Sequence, residues 1–214
     1  MDSQKSNNNE EKTYKVKLAF VGDSGVGKTC IIKRYIQNTF SDQTQTNLGE
    51  YADKILNIGK TKINLNIWDT AGQEKFRSFG KLFYKDAYII CLVYDITCKK
   101  SFENLKNIWY QDVKQNGEAF TVLAIVGNKA DCFLEEQVKE KEAREFASKE
   151  KAFFTITSAK TGDGVDKLFE NVCKMYLDPD FLNKINDINS DRLRASFKIV
   201  KQEKRPKGWC CLLP

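Results

Sequence analysis

Short apolar segments alternate along the chain with longer amphipathic ones. The short segments have the length of β-strands, and several are apolar on both faces, as is typical of parallel strands covered by helices. The strand-type segments are residues 14–21, 54–58, 63–69, 88–95, 121–128 and 153–157. Helical spacing occurs at residues 28–37, 102–114, 135–148 and 164–176, with a shorter helical turn at 79–85. This pattern predicts an open α/β fold with one layer of helices on each face of a mostly parallel sheet.

A turn and two changes of composition divide the chain further. Gly59-Lys60 lies between two strand-type segments as a hairpin turn, which predicts that one strand is antiparallel. Residues 1–12 are polar and rich in Asn, and we expect a disordered extension there. No Pro precedes Pro179, after which Asn, Asp and then basic residues dominate. We therefore predict one domain over residues 13–178 and a flexible basic tail over residues 179–214.

The composition excludes several classes of chemistry. The chain of 214 residues has no His, which excludes His-based triads and Cys/His zinc sites. Its longest apolar run, residues 87–94, is too short to span a bilayer and lacks the flanks of a signal peptide. Five of the seven Cys are scattered without a disulfide framework, as expected in a reducing compartment. The net charge of +6 belongs to the tail, because residues 192–207 hold seven basic residues and one acidic residue.

A glycine-rich segment lies between the first predicted strand and the first predicted helix. The segment GDSGVGKT, residues 22–29, matches the phosphate-binding pattern GxxxxGK[ST]. Glycines allow backbone N–H groups to surround phosphates at the positive end of a helix. Lys28 is predicted to reach the terminal phosphates, and the Thr29 hydroxyl to bind Mg²⁺. A glycine-rich turn with a solvated lysine is the alternative, which the neighbouring strand and helix disfavour.

Three further polar segments follow predicted strands. In WDTAGQE, the carboxylate can hold Mg²⁺ and the amide side chain can orient a water molecule. NKAD and SAK follow the fifth and sixth strands, and each alone is equally typical of a surface loop. The Asp131 carboxylate offers acceptors to N1–H and N2–H₂ of guanine, whereas adenine has an acceptor at N1 and no 2-amino group. A backbone N–H near Ala159 is placed to meet O6 of guanine, and the Lys129 stem to lie along the ring. Together the segments predict a guanine-nucleotide site.

The four segments GDSGVGKT, WDTAGQE, NKAD and SAK resemble those of small GTPases of the Ras superfamily. FRSFGKLFYKDAYIICLVYDIT and a terminal Cys pair resemble the Rab branch, so that the resemblance covers residues 15–176 and the tail. It implies a three-layer P-loop GTPase fold with six strands and five helices, GDP/GTP and Mg²⁺ as cofactors, and Gln73 as the residue that positions the hydrolytic water. The implied metal ligands are Thr29, Thr46 and Asp69. The implied nucleotide contacts are Ser24, Gly25, Val26, Gly27, Lys28, Thr29, Cys30, Phe40, Thr46, Gly72, Asn128, Lys129, Asp131, Ser158, Ala159 and Lys160.

The first switch departs from the Thr-Ile-Gly pattern of Rabs, because the sequence reads TNLG here. Counting forward from Thr29 places Asn47 in the position of the Thr, and counting back from Trp68 places Thr46 there. We favour Thr46, because a hydroxyl is the better Mg²⁺ ligand here and its spacing to Tyr51 matches the family. The choice bears on whether GTP orders this loop and on hydrolysis.

The resemblance also implies protein partners. An exchange factor, a GTPase-activating protein and effectors are expected to read the two switches. Tyr51, Trp68 and Phe83 would form the aromatic patch that Rab effectors contact, and the alternative is that these residues belong to the core. We expect a monomer that does not bind nucleic acid.

Two adjacent thiols, Cys210 and Cys211, stand near the C-terminus. A CaaX box that ends in Pro214 is unusual, so the Rab-type pattern with two geranylgeranyl groups fits better. Two lipid chains anchor a protein stably, and the basic tail adds attraction to an anionic leaflet. A solvated tail or non-specific nucleic-acid contact is the alternative. The resemblance therefore implies a Rab escort protein, a prenyltransferase and a GDP-dissociation inhibitor, and a location on the cytoplasmic face of an intracellular membrane in exchange with the cytosol.

The leading hypothesis is a Rab-like, Mg²⁺-dependent GTPase that acts as a switch in membrane traffic. No arginine is evident in cis to complete the charge cage, so slow intrinsic hydrolysis is expected. One alternative is a scaffold that holds guanine nucleotide without switching, which the irregular first switch motivates. Another is an ATP-using phosphoryl transferase, and a nuclear-transport GTPase is a third that does not need the Cys pair.

Overall fold

The computed structural model describes residues 12–41, 50–70, 85–118 and 121–181. The strands in these residues are β1 (Thr13–Val21), β2 (Glu50–Ile58), β3 (Thr61–Asp69), β4 (Ile89–Asp95), β5 (Val122–Asn128) and β6 (Phe153–Ile156). The α-helices are α1 (Lys28–Gln37), α2 (Lys99–Asn104), α3 (Tyr110–Asn116), α4 (Glu140–Lys149) and α5 (Val165–Tyr176). A π-helical turn (Leu105–Trp109), called the π turn below, joins α2 to α3, and a 3₁₀ turn (Ala130–Glu135) follows β5.

The six strands form one sheet in the order β2-β3-β1-β4-β5-β6. Only β2 and β3 pair antiparallel, through the predicted turn at Gly59, and the other neighbours are parallel. Phe20 lies opposite Asp69, and Asp95 lies opposite Asn128, so the carboxyl ends of four strands share one edge of the sheet. The predicted fold class is confirmed, and polar strand ends are gathered at this edge.

Helices cover both faces of the sheet in the described residues. On one face, the Phe169 ring of α5 lies 5.8 Å from the Phe20 ring and stacks on Tyr35 of α1 at 3.6 Å between centroids. On the other face, α2, the π turn, α3 and α4 pack with β1, β4 and β5. All seven residues of β4 are buried, which explains why this segment is apolar on both sides. None of the helices described is long and apolar enough to cross a membrane.

Two predicted helices differ from the structure, and two of the five α-helices in the described residues, α2 and α3, belong to one predicted helix. The helix expected at 102–114 begins at Lys99 and is divided by the π turn. The helix expected at 135–148 begins only at Glu140, because Gln137 and Val138 donate their N–H groups to Ile96 O at 2.9 and 3.1 Å. The buried Val138 had the appearance of a helix-face residue, but it anchors an extended segment. The predicted turn at 79–85 falls almost entirely outside the described residues. The predicted domain limits stay predictions.

Candidate functional site

The phosphate-loop segment, residues 22–29, connects β1 to α1 as predicted. Gly27 has a φ of 94°, and a Cβ atom there would lie 2.2 Å from Asn128 Nδ2. Gly22 is equally confined, because a Cβ atom would lie 2.3 Å from Val93 O. The loop therefore requires glycine at both positions, and the backbone N–H groups at the start of α1 lie at its end, an arrangement that favours anions.

The Lys28 side chain is buried within this loop. Its ammonium donates to Gly22 O at 2.9 Å and to Asp23 O at 2.8 Å. Burial lowers the pKa of Lys28 to about 8, against the opposing effect of the Asp69 and Asp23 carboxylates. At neutral pH the group is a buried cation held by loop carbonyls, which suits the terminal phosphates of a nucleotide.

Thr29 and Asp69 bring two oxygen ligands together beside Lys28. Thr29 Oγ1 donates to Asp69 Oδ2 at 2.5 Å, and both residues are buried. The end of β3 is fixed by Thr70, whose hydroxyl donates to Phe20 O at 2.7 Å. A hydroxyl and a carboxylate in contact are ligands that Mg²⁺ prefers, with its other positions left to water and phosphate. The predicted pair of metal ligands from these two segments is thus fit to hold Mg²⁺.

A cavity of about 190 Å³ adjoins the phosphate loop. Its lining includes nine of the predicted nucleotide contacts, namely Gly25, Gly27, Cys30, Phe40, Asn128, Lys129, Asp131, Ala159 and Lys160. It also includes Cys132, which the sequence motifs did not indicate. Segments that are far apart in sequence therefore meet in one concave site.

The Asp131 carboxylate is oriented by the loop after β6. Ser158 Oγ donates to Asp131 Oδ1 at 2.6 Å, and Lys160 Nζ lies 3.9 Å from Oδ2. Burial alone would raise the pKa of Asp131, but the hydrogen bonds from Ser158, the backbone and Cys132, with the charge of Lys160, lower it overall. The group is therefore an ionised acceptor at neutral pH, as recognition of two guanine donors requires.

Asp95 holds Lys129 in place at the same cavity. Lys129 has a φ of 68°, and its Nζ lies 2.6 Å from Asp95 Oδ2. Asp95 Oδ1 accepts from Thr97 N at 2.8 Å and from Thr97 Oγ1 at 2.7 Å. Because the ammonium is engaged at Asp95, the stem of Lys129 is left to line the cavity. Sequence reasoning missed Asp95, although its position at the end of β4 was an available signal.

Asn128, at the end of β5, joins the phosphate loop to the loop after β6. Its Nδ2 donates to Val26 O at 2.9 Å, and its Oδ1 accepts from Thr157 Oγ1 and from Ala159 N, both at 3.2 Å. The Asn128 side chain is buried. The Ala159 N–H that we predicted to meet O6 of guanine donates to Asn128 here, so its contact with a base stays a prediction.

A guanidinium from α1 supports the loop after β6. Arg34 Nε donates to Ala159 O at 2.8 Å, and Nη2 donates to Lys160 O at 2.6 Å. Nη1 donates to the Asn38 backbone and side-chain oxygens, both at 3.1 Å, at the end of the helix. The helix that begins at the phosphate loop is thereby tied to the loop after β6. No motif contained this residue.

Two of the three predicted patch residues, Tyr51 of β2 and Trp68 of β3, lie opposite each other, and Trp68 is partly buried against the core. Tyr51 is 50% exposed, and its ring meets Trp68 edge-on at 5.4 Å. Its hydroxyl donates to Asp53 Oδ1 at 2.6 Å and accepts from Asn66 Nδ2 at 2.8 Å. Tyr51 is therefore not a core residue. Phe83, the third predicted member, lies outside the described residues, as do Thr46, Asn47, Gly72, Gln73, Cys210 and Cys211.

Comparison with known proteins assigns this arrangement to a family. The Ras family model matches residues 17–178. Ras-related protein Rab-21 of Bos taurus is 40% identical over 208 residues, which cover 94% of this chain and 93% of the relative. Rab-30 of Homo sapiens is 34% identical over 183 residues, 85% of this chain and 90% of the relative. SEC4 of Candida albicans (strain WO-1) is 32% identical over 197 residues, 92% and 93% respectively.

Proposed function

Because the chain belongs to the Ras family and is a Rab-type small GTPase, we propose that it binds GDP and GTP with Mg²⁺ and acts as a prenylated switch in membrane traffic. The observation that carries the proposal is the ionised Asp131 carboxylate, held by Ser158 in a cavity that adjoins the phosphate loop. The two donors of guanine match this carboxylate, whereas adenine presents an acceptor at N1. The adjoining loop supplies the phosphate contacts.

Among the described residues, one group binds the phosphates and Mg²⁺ and another group binds the base. Lys28 and the loop N–H groups bind phosphate oxygens and offset the negative charge that develops during hydrolysis. Thr29 and Asp69 would hold Mg²⁺, which would supply positive charge to neutralise the phosphates. Asp131 and the stem of Lys129 bind the base.

We further propose that Gln73 orients the hydrolytic water and that intrinsic turnover is slow. An arginine supplied by an activating protein accelerates hydrolysis by about 10³–10⁵ in Ras-type GTPases. The Arg34 guanidinium is engaged at Ala159, Lys160 and Asn38 in this structure, at the base-binding loop. We therefore expect fast turnover to require a GTPase-activating protein.

The membrane part of the proposal rests on the tail and on the Rab relatives. Two prenylated thiols at Cys210 and Cys211, with the basic residues 192–207, would anchor the chain at the cytoplasmic face of an intracellular membrane. A prenyltransferase with its escort protein, a GDP-dissociation inhibitor and an exchange factor are the proposed regulators. Effectors would contact Tyr51, Trp68 and Phe83 in the GTP state.

Competition and turnover measurements test this proposal on the full-length chain. Fluorescent GDP bound with Mg²⁺ should be displaced by excess GTP and not by the same concentration of ATP. Equal displacement by both nucleotides would overturn the guanine assignment. Gln73→Leu should severely reduce activator-stimulated hydrolysis and leave GDP binding unchanged. Gln111→Leu is the matched control, because Gln111 is an exposed residue of α3. Normal turnover in Gln73→Leu would remove Gln73 from the mechanism.

A further inference from the structure

The helical run after β4 is interrupted by the π turn. The Tyr110 N–H donates to Leu105 O, five residues earlier, where an α-helix would use a carbonyl four residues earlier. The backbone on both sides is α-helical, so the π turn accommodates one additional residue within a continuous helical run. Such insertions often occur at functional sites, and this one faces the phosphate loop.

The π turn brings Asn104 and Trp109 onto one side of the helix. In a regular α-helix, residues five apart point in directions about 140° apart, so both could not reach the same group. Here Asn104 Nδ2 donates to Asp23 Oδ2 at 2.7 Å, and Trp109 Nε1 donates to Asp23 Oδ1 at 2.6 Å. Each oxygen of one carboxylate therefore has its own neutral donor from the π-turn region.

Asp23 is the second residue of the phosphate loop and lies beside the Lys28 cation. Its backbone carbonyl accepts from Lys28 Nζ at 2.8 Å, next to the Gly22 carbonyl at 2.9 Å. The position of the Asp23 backbone thus helps to set where the ammonium stands. The close approach of Gly22 to Val93 O leaves the first half of the loop little room to move on the side of β4.

A carboxylate in a phosphate-binding loop can repel the phosphates that the loop binds. If the Asp23 side chain turned towards Lys28, it would compete with the nucleotide phosphates for the same ammonium and repel them. The two donors oppose this, because each carboxylate oxygen is already engaged by its own donor, Oδ2 by Asn104 and Oδ1 by Trp109. Hydrogen bonds to a charged acceptor are among the stronger ones in proteins, so the orientation is well determined.

We propose that Asn104 and Trp109 are positioning residues for nucleotide retention, which restrain the Asp23 carboxylate and so reserve Lys28 for the phosphates. The inference rests on the proposed function, because it concerns the same nucleotide site. It adds Asn104 and Trp109, which are not among the residues predicted to contact the phosphates or the base. Their effect reaches the ligand through Asp23.

Nucleotide release from the full-length chain tests the role of these donors. The chain is loaded with fluorescent GDP and Mg²⁺, and release is followed after addition of excess unlabelled GDP. Trp109→Phe keeps an aromatic ring and removes the N–H donor, and Asn104→Ala removes the other donor at a partly exposed position. Each should accelerate release about tenfold to a hundredfold, the equivalent of one hydrogen bond to a charged group.

Tyr110→Phe is the matched control, because the Tyr110 hydroxyl donates to the Glu150 carboxylate, away from the phosphate loop. It should leave the release rate unchanged even where it lowers the melting temperature. The same variants are then made in a chain that carries Asp23→Asn, since a neutral side chain does not compete for Lys28. Trp109→Phe should accelerate release in the parent and have little effect when Asp23 is already Asn.

The possible outcomes separate this inference from the proposed function. Parent-like release in both donor variants would overturn it, and so would equal acceleration with and without the Asp23 charge, since that result indicates a packing defect. Failure of the unmodified chain to bind GDP would instead overturn the proposed function. Acceleration that depends on the Asp23 charge, with a silent Tyr110→Phe control, supports the inference.

Discussion

Asp131→Asn is expected to reverse the base preference of the nucleotide site. The substitution keeps the size of the side chain and one acceptor oxygen, to which Ser158 can still donate as it now does at 2.6 Å. It replaces the second acceptor by an NH₂ group, which faces the N2–H₂ donor of guanine. Xanthine carries a carbonyl oxygen in place of that amino group, so the new amide can donate to it.

The magnitude follows from the charge and burial of Asp131. Its side chain is 16% exposed and its pKa is lowered from the ordinary value, so the parent offers guanine an ionised, largely desolvated acceptor. A hydrogen bond to a charged group is worth about 1.5–3 kcal/mol, and the variant weakens one such bond and loses the other. The expected cost is about 3–5 kcal/mol, which corresponds to GDP affinity lower by about 10²–10⁴.

The assay is equilibrium binding of fluorescent GDP and xanthosine diphosphate, with Mg²⁺, to the parent and to Asp131→Asn. The parent should prefer GDP and the variant xanthosine diphosphate. Asp163→Asn serves as the control, because Asp163 is an exposed neighbour whose carboxylate accepts from Thr161 instead of lining the cavity. GDP affinity of Asp131→Asn within threefold of the parent would refute the assignment of base recognition to Asp131.

Three further expectations concern the phosphate loop and the tail. Gly27→Ala should abolish measurable GDP binding, because its Cβ atom would meet the Asn128 amide at 2.2 Å and its positive φ adds about 1–3 kcal/mol of strain; Gly59→Ala, with a positive φ and open space, should retain binding. GDP affinity should change little between pH 7 and pH 8 and fall by up to about tenfold per pH unit above pH 8, because the free Lys28 ammonium, with a pKa of about 8, deprotonates there while bound phosphate raises that pKa. A dissociation constant unchanged up to pH 9 would contradict that role. Replacing Cys210–Cys211 by Ser should move a tagged full-length chain from membranes to cytosol, and identical distributions of both forms would argue against lipid anchoring.

Local patterns predicted most of the sheet, and the strand limits agree closely except at β2. That strand was expected from residue 54 and begins at Glu50, because its first half is a polar edge segment. Tyr51 pairs with Trp68 through the backbone ladder, and its side chain is half exposed. An apolar pattern reports burial, so it misses an edge strand whose pairing depends on main-chain hydrogen bonds.

The sequence predicted where the four motif segments lie, because each is a short segment placed at the end of a strand, and their contacts with a nucleotide stay predictions. The supporting contacts could not, since they join residues far apart in sequence. Asn104 and Trp109 lie 81 and 86 positions from Asp23, and nothing in the apolar spacing of residues 102–114 distinguishes a π turn from an ordinary turn. Sequence patterns of this kind identify the groups that touch a ligand more readily than those that hold them.

The hydrogen bonds from Arg34 to the loop after β6 have a mechanical consequence. The helix α1 begins at the phosphate loop, where we propose that the phosphates bind, and its Arg34 donates to the carbonyls of Ala159 and Lys160. A regulator that tilts α1 would therefore weaken the proposed phosphate contacts and the proposed base contacts in one movement. A regulator that leaves α1 in place would have to release the phosphates and the base one after the other.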